Sequence, residues 1–124
     1  MEQPEILVIG VIYNTYPETL RYLESMVPPE RGKFTVILVD NSSRPAPENF
    51  SEKAGRYPFV RYLQTGENAG YFGGARKGLK HYLAENGHYP DRILVTNVDI
   101  CFTPGFFDRL AGMGQGELPG VIAP

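Results

Sequence analysis

The run Ile6-Leu7-Val8-Ile9-Gly10-Val11-Ile12-Tyr13-Asn14-Thr15 decides the fold class. Its apolar residues are continuous rather than alternating, and most are β-branched. That pattern reads as a strand buried on both faces. Such a strand belongs to a sheet with helices packed on either side. Three further runs have the same character: residues 34–39, which meet Asp40; the shorter residues 59–63; and residues 93–96, which run into Asn97 and Asp99. Residues 120–123 mark the start of a fifth strand.

Helical patterns separate most of these runs. Thr15-Tyr16-Pro17-Glu18 has capping-box spacing with a proline in the first turn. Tyr16, Leu20, Leu23 and Val27 then follow at helical spacing, until Pro28-Pro29 ends the helix. A second helix is predicted over residues 73–85, with Ala75, Leu79 and Tyr82 or Leu83 as its buried stripe and Asn86-Gly87 as its stop. A third is predicted to start at the cap Thr103-Pro104, to bury Phe106, Phe107 and Leu110, and to end in the glycine-rich run beyond. Residues 44–57 are polar, carry two prolines and read as a loop with one helical turn. The order β-α-β-loop-β-α-β-α-β predicts an α/β chain: a Rossmann-like, three-layer α/β/α arrangement around a mostly parallel sheet, joined by right-handed crossovers.

Composition narrows the function. With 124 residues the chain is expected to be a single domain, residues 1–124. A net charge of −2 gives no electrostatic case for nucleic acid or an anionic membrane. One cysteine excludes a disulfide framework, and Cys101, after an apolar run and without a local histidine, reads as a buried, inert thiol. No apolar run approaches the ~20 residues of a membrane helix, and the N-terminus lacks a signal peptide's basic region. A reducing, cytoplasmic setting is the expectation. His81 and His88 have no carboxylate at ligand spacing, and the eight tyrosines form no stacking platform.

In parallel sheets, ligands bind beyond the carboxyl ends of the strands, near the point where strand order reverses. The polar signals of this chain sit there. Tyr13, Asn14 and Thr15 follow the first strand and Asp40-Asn41-Ser42-Ser43 the second. Asn68 to Gly74 follow the third, and Asn97-Val98-Asp99 end the fourth. Asp40 suits a nucleobase N–H or a ribose hydroxyl, since an ionised carboxylate only accepts hydrogen bonds; it equally suits a turn that closes the strand. The run Asn68-Ala69-Gly70-Tyr71-Phe72-Gly73-Gly74-Ala75-Arg76-Lys77-Gly78 reads as glycines ahead of a helix that lets backbone N–H groups approach an anion, with Arg76 and Lys77 in the first turn or so. Its spacing matches neither G-x-G-x-x-G nor G-x-x-x-x-G-K-[ST], which sets dinucleotide and P-loop readings aside. Asn97 and Asp99 point the same way if the strand persists, with Val98 toward the core. A single carboxylate suffices for Mg²⁺ or Mn²⁺ when phosphates and water complete the shell.

Taken together, residues 6–15, the segment Val39-Asp40-Asn41-Ser42-Ser43, the pattern Asn68-x-Gly70-Tyr71-x-x-Gly74-x-x-x-Gly78 and Leu94-Val95-Thr96-Asn97-Val98-Asp99 resemble the family 2 glycosyltransferases. The resemblance covers nearly the whole chain and is strongest to bacterial, rhamnosyltransferase-like members, which often carry Asn-x-Asp in place of Asp-x-Asp. It implies the A-type glycosyltransferase fold and an enzyme of polysaccharide biosynthesis that transfers sugar from a dTDP- or UDP-sugar to a saccharide or lipid-linked acceptor, with inversion. It implies that Tyr13, Asn14 and Thr15 line the base and ribose, and that Asp40 bonds one of them. Asn68, Gly70 and Gly74 would pass beside the nucleotide, Arg76 or Lys77 would lie near the diphosphate, and Asp99 would hold Mg²⁺ or Mn²⁺ with Asn97 beside it. Three positions depart from the family pattern: Asn97, Arg76, and Arg44-Pro45 after the serines.

Inverting transfer needs a base for the acceptor hydroxyl and stabilisation of the departing diphosphate. The chain offers candidates for the second task. The resemblance implies that the base lies in a later acidic motif, beyond Pro124, so this is expected to be the donor-binding part of a longer, cytoplasmic or inner-membrane-peripheral enzyme. An exposed sheet edge is then expected to favour self-association. The competing reading is a non-catalytic nucleotide-binding or interaction domain of the same architecture. A sugar-nucleotide pyrophosphorylase would need a basic, glycine-rich loop after the first strand, and Tyr13-Asn14-Thr15-Tyr16 is not one.

Overall fold

Strand β1 (Glu5–Ile12) is the centre of the sheet, and its alternate residues serve two cores. The computed structural model describes residues 4–113 and 121–122. Around β1 lie β2 (Lys33–Asp40), β3 (Val60–Gln64), β4 (Arg92–Asn97) and the short β5 (Val121–Ile122). All pairings are parallel, in the order β3-β2-β1-β4-β5, so the sheet is wholly rather than mostly parallel among the described residues. Of the predicted fifth strand, Gly120 and Ala123 lie outside the described residues. Strand order reverses between β1 and β4, and the register aligns the carboxyl ends: Ile12 pairs with Asp40, Val11 with Asn97, and Asp40 with Gln64.

Side chains on a strand alternate between faces. Ile6, Val8 and Ile12 join one core with Tyr22 and Leu23 of α1 (Tyr16–Glu24), Phe50 of α2 (Phe50–Ala54) and Phe107 of α4 (Phe106–Gly112). Leu7, Ile9 and Val11 join the other with Tyr82 of α3 (Gly70–Asn86). The result is the three-layer α/β/α arrangement expected from the unbroken apolar runs.

Several local expectations are corrected. Thr15 is the N-cap of α1 but makes no side-chain cap bond; instead the Thr19 hydroxyl donates to the Thr15 carbonyl at 2.7 Å. The helix stops at Glu24, so Val27 is exposed, and the buried positions are Tyr16, Thr19, Tyr22 and Leu23. Tyr22 is drawn in because Gly10 leaves room beneath it, a Cβ there meeting its hydroxyl oxygen at 3.0 Å, and because that hydroxyl bonds Thr96 Oγ1 at 2.5 Å. α3 begins at Gly70, not Gly73, and ends as expected at Gly87, in the left-handed region. Thr103-Pro104 forms a turn rather than a cap: the Phe106 N–H bonds the Thr103 carbonyl, and Gly105, at φ +83°, is the N-cap of α4. The one helical turn expected within residues 44–57 is α2, placed at residues 50–54 because Phe50 and Ala54 both reach the core. Cys101 is exposed, not buried, since the chain has left the sheet after Asn97.

Candidate functional site

The loop after β1 and the loop after β2 are laced together. Asn14 adopts φ +58°, its N–H donates to Ser42 Oγ at 2.7 Å and its amide to Ser43 Oγ at 3.2 Å, while its Oδ1 accepts from the Arg44 N–H at 3.2 Å. Asn14 is therefore occupied in holding the two loops. Tyr13 beside it is exposed at the sheet edge, and Thr15 starts α1.

Asp40 ends β2 almost fully buried. Its Oδ2 accepts from the Tyr62 hydroxyl at 2.5 Å and the Tyr16 hydroxyl at 2.8 Å, and its Oδ1 from the Ser42 N–H at 2.9 Å. Burial, reinforced by the Asp40 carboxylate, pushes both tyrosine pKa values up, although Ser42 offsets part of the rise at Tyr16. Both hydroxyls therefore stay protonated donors. Asp40 also lines a cavity of about 310 Å³ with Tyr16, Ser42, Ser43, Arg44 and Gln64.

Asn41, also buried, spans the gap to the next loop. Its amide donates to the Gly70 carbonyl at 2.9 Å and its Oδ1 accepts from the Thr65 hydroxyl at 2.8 Å. Asn68 turns inward on its own loop, its Oδ1 accepting from the Gly70 N–H at 3.0 Å. The glycine-rich run lies inside α3 rather than ahead of it. Gly74 and Gly78 are buried against the sheet; a Cβ on Gly74 would meet Asn41 Nδ2 at 2.9 Å, and one on Gly78 would meet Ile9 Cγ2 at 2.9 Å. Gly74, read as ligand-facing, is thus a packing glycine, as is Gly78. Arg76 and Lys77 fall in the second turn of α3; Arg76 is exposed, and Lys77 pairs with Glu67 at 2.8 Å. Glu67 is correspondingly held below the usual carboxylate range, first by its hydrogen bond from Lys77.

At the end of β4 the alternation persists for two residues past the strand: Asn97 and Asp99 are exposed and Val98 is buried. Among the described residues no group of three or more His, Cys, Asp or Glu side chains gathers. One carboxylate and one amide oxygen are hard donors that fit Mg²⁺ or Mn²⁺ when a nucleotide's phosphates and water complete the shell. The donor set fits a divalent ion on that condition.

The fold therefore brings Tyr13, Asn14, Thr15, Asp40, Asn68, Gly70, Asn97 and Asp99 to one edge of the sheet, around the reversal of strand order. It turns Gly74 into the core and commits Lys77 to an ion pair. Sequence reasoning missed Tyr16 and Tyr62, which hold Asp40, and read Asn41 only as part of the run after β2, without its bond to Gly70. The signal for Tyr62 was slight, a polar-tipped residue inside a short apolar run. No described helix is long and apolar enough to cross a membrane.

Comparison with known proteins gives these observations a family. The model of glycosyl transferase family 2 matches residues 7–121. The chain is 31% identical over 108 residues to an N-acetylglucosaminyl-diphospho-decaprenol L-rhamnosyltransferase of Mycobacterium tuberculosis, found in two strains, with 83% of this chain and 34% of the relative covered. It thus spans about a third of the length of the curated relatives it matches. Among solved structures, a mannosyltransferase from Pyrobaculum calidifontis, in complex with GDP-Man and Mn²⁺, superposes with a TM-score of 0.60 at 19% identity, covering 90% of this chain and 31% of that one. That likeness is one of fold: most of the chain superposes on part of an A-type glycosyltransferase. With the family model spanning nearly its whole length, the chain belongs to glycosyl transferase family 2.

Proposed function

We propose that this chain is a single donor-binding domain of a glycosyltransferase that moves a sugar, with inversion, from a dTDP- or UDP-sugar to a saccharide or lipid-linked acceptor, in the cytoplasm or at the inner face of a membrane. The observation that carries this reading is the gathering of the β1, β2 and β4 loops at the reversal of strand order, with a cavity beside Asp40. In this reading Asp40 and Tyr13 contact the base or ribose, and Asn14 and Thr15 shape the loop over it. Asn68 shapes the loop that leads to Gly70. The start of α3 at Gly70 presents N–H groups and the positive end of a helix dipole toward the diphosphate, with Arg76 as the nearby cation. Asp99, with Asn97, holds Mg²⁺ or Mn²⁺, which when bound supplies Lewis-acid stabilisation of the departing nucleoside diphosphate.

The base for the acceptor hydroxyl is assigned to none of the described carboxylates of this edge. Asp40 already accepts three hydrogen bonds, and Glu67 is paired with Lys77. Self-association through the sheet edge formed by β5 belongs to the same proposal; a concentration-independent monomer in sedimentation velocity would remove it.

Calorimetry with UDP and dTDP, with and without Mn²⁺, tests the donor-site reading. Binding of at least one nucleotide, strengthened by Mn²⁺, is expected; a folded chain that binds neither rules it out. The structural relative binds GDP-Man and Mn²⁺, so GDP is the informative third nucleotide. Asp99→Ala is expected to abolish the Mn²⁺-dependent gain, about tenfold or more in affinity, while leaving metal-free binding unchanged. An undiminished gain takes Asp99 out of the role.

A further inference from the structure

Asp40 is only 4% exposed, and burying a carboxylate is costly unless hydrogen bonds replace its water. It has three donors. The Tyr62 and Tyr16 hydroxyls converge on Oδ2, and the Ser42 N–H reaches Oδ1. A carboxylate has about four lone-pair sites, two on each oxygen. Both sites of Oδ2 are thereby filled, and one on Oδ1 is left for a ligand in the cavity that Asp40 lines.

The two tyrosines are themselves fixed. Phe50 of α2, 2% exposed, packs edge-on against both rings, with centroids 4.9 Å from Tyr16 and 5.2 Å from Tyr62. The Tyr16 hydroxyl also lies 3.2 Å from the Arg44 carbonyl, and Gln64 donates to the Tyr62 hydroxyl at 3.3 Å. That last bond uses an acceptor site on the Tyr62 oxygen, leaving its proton to Asp40. The pair therefore presents Asp40 as a fixed acceptor, with both sites of Oδ2 occupied.

We infer that Tyr16 and Tyr62 are positioning residues for base selection: they hold Asp40 as an acceptor-only carboxylate, so that the cavity takes a base with a ring N–H between two carbonyls, as in uracil or thymine, over one whose corresponding ring nitrogen is an acceptor, as in cytosine. An acceptor facing Oδ1 leaves two buried lone pairs opposed and both groups unpaired, the situation in which polar sites discriminate most strongly. Without the Tyr62 hydroxyl, Oδ2 regains a free site. The carboxylate can then turn, so that it neither meets the ring N–H of uracil squarely nor holds its lone pair against the acceptor nitrogen of cytosine. This inference rests on the donor-nucleotide reading above.

The test is calorimetry of this chain and of its Tyr62→Phe and Tyr16→Phe variants with UDP, CDP and inorganic pyrophosphate. The unsubstituted chain is expected to bind UDP about tenfold or more tighter than CDP. Each variant is expected to lower that ratio by about threefold or more, at unchanged pyrophosphate affinity. A purely structural role would weaken all three ligands together and leave the ratio alone. UDP and CDP bound equally by the unsubstituted chain overturn this inference while leaving the donor-site reading intact. Binding of neither overturns both. A ratio that persists in the variants removes the tyrosines from the role. Phenylalanine keeps each ring on Phe50, and circular dichroism identifies a variant that fails to fold, in which case the other supplies the result.

Discussion

Asn41 shows how much a single side chain can organise. It joins the end of β2 to the start of α3 through Gly70, and to the intervening loop through Thr65. It is 1% exposed, so removing its amide strands the Gly70 carbonyl and opens a small void. Asn41→Ala is expected to cost about 1–3 kcal/mol in urea unfolding, the range for a buried polar group that loses its partner. It is also expected to raise hydrogen exchange at Gly70 and Tyr71. Asn41, Asp40 and Asn14 were all legible as polar residues at strand ends, but their partners were not. Tyr16 and Tyr62 stand 24 and 22 residues from Asp40 in the chain. No local pattern encodes a contact that only the β2–β3 register and the placement of α1 create. The same gap explains Asn68 and Lys77. Each has a functional residue type and a plausible spacing, yet each satisfies a neighbour instead.

At the level of elements, α3 carries the sharpest contrast between pattern and structure. Glycine disfavours helix by about 1 kcal/mol relative to alanine, so a run with Gly70, Gly73, Gly74 and Gly78 reads as a loop with a late helix start. Tertiary packing overrides that preference, because only glycine lets the helix backbone approach Val11, Ile9 and Val39 so closely. Two substitutions separate the effects. Gly78→Ala places a methyl 2.9 Å from Ile9 Cγ2, and overpacking of about 1–3 kcal/mol is expected to outweigh the propensity gain, a net loss in the urea midpoint. Gly112→Ala, near the end of α4, meets nothing within 4 Å among the described residues and is expected to be neutral or to gain up to about 1 kcal/mol. β1, β2 and β4 were legible because each unbroken apolar run is covered on both faces, whereas β3, at the end of the strand order with no fully buried residue, showed only as a short apolar run. α2, five residues long, was legible only as one helical turn somewhere within residues 44–57, because its stability comes from burying Phe50 and Ala54 rather than from its own sequence.

For the molecule as a whole, the buried tyrosines set an alkaline limit. Tyr22 is fully buried and bonded to Thr96, and Tyr62 is bonded to Asp40; the pKa of each is pushed up, first by burial. In the unfolded chain they ionise near pH ~10. The folded state holds its protons above that point, so stability is fully present below pH ~10 and is lost as pH rises toward the folded-state values. The urea midpoint is therefore expected to be flat from neutral pH to about 9 and to fall above about 10, with tyrosinate absorbance appearing as the chain unfolds. Tyr22→Phe is expected to make that fall shallower. An equally steep fall in the variant removes Tyr22 as a cause. The split of β1 between two cores has a further consequence, seen in time rather than in space. Its amides are bonded into ladders with β2 and β4 and covered by helices above and below. They are released to solvent deuterons only when both layers come apart, so a slow clock ticks at the strand that leads directly into Tyr13 and Asn14.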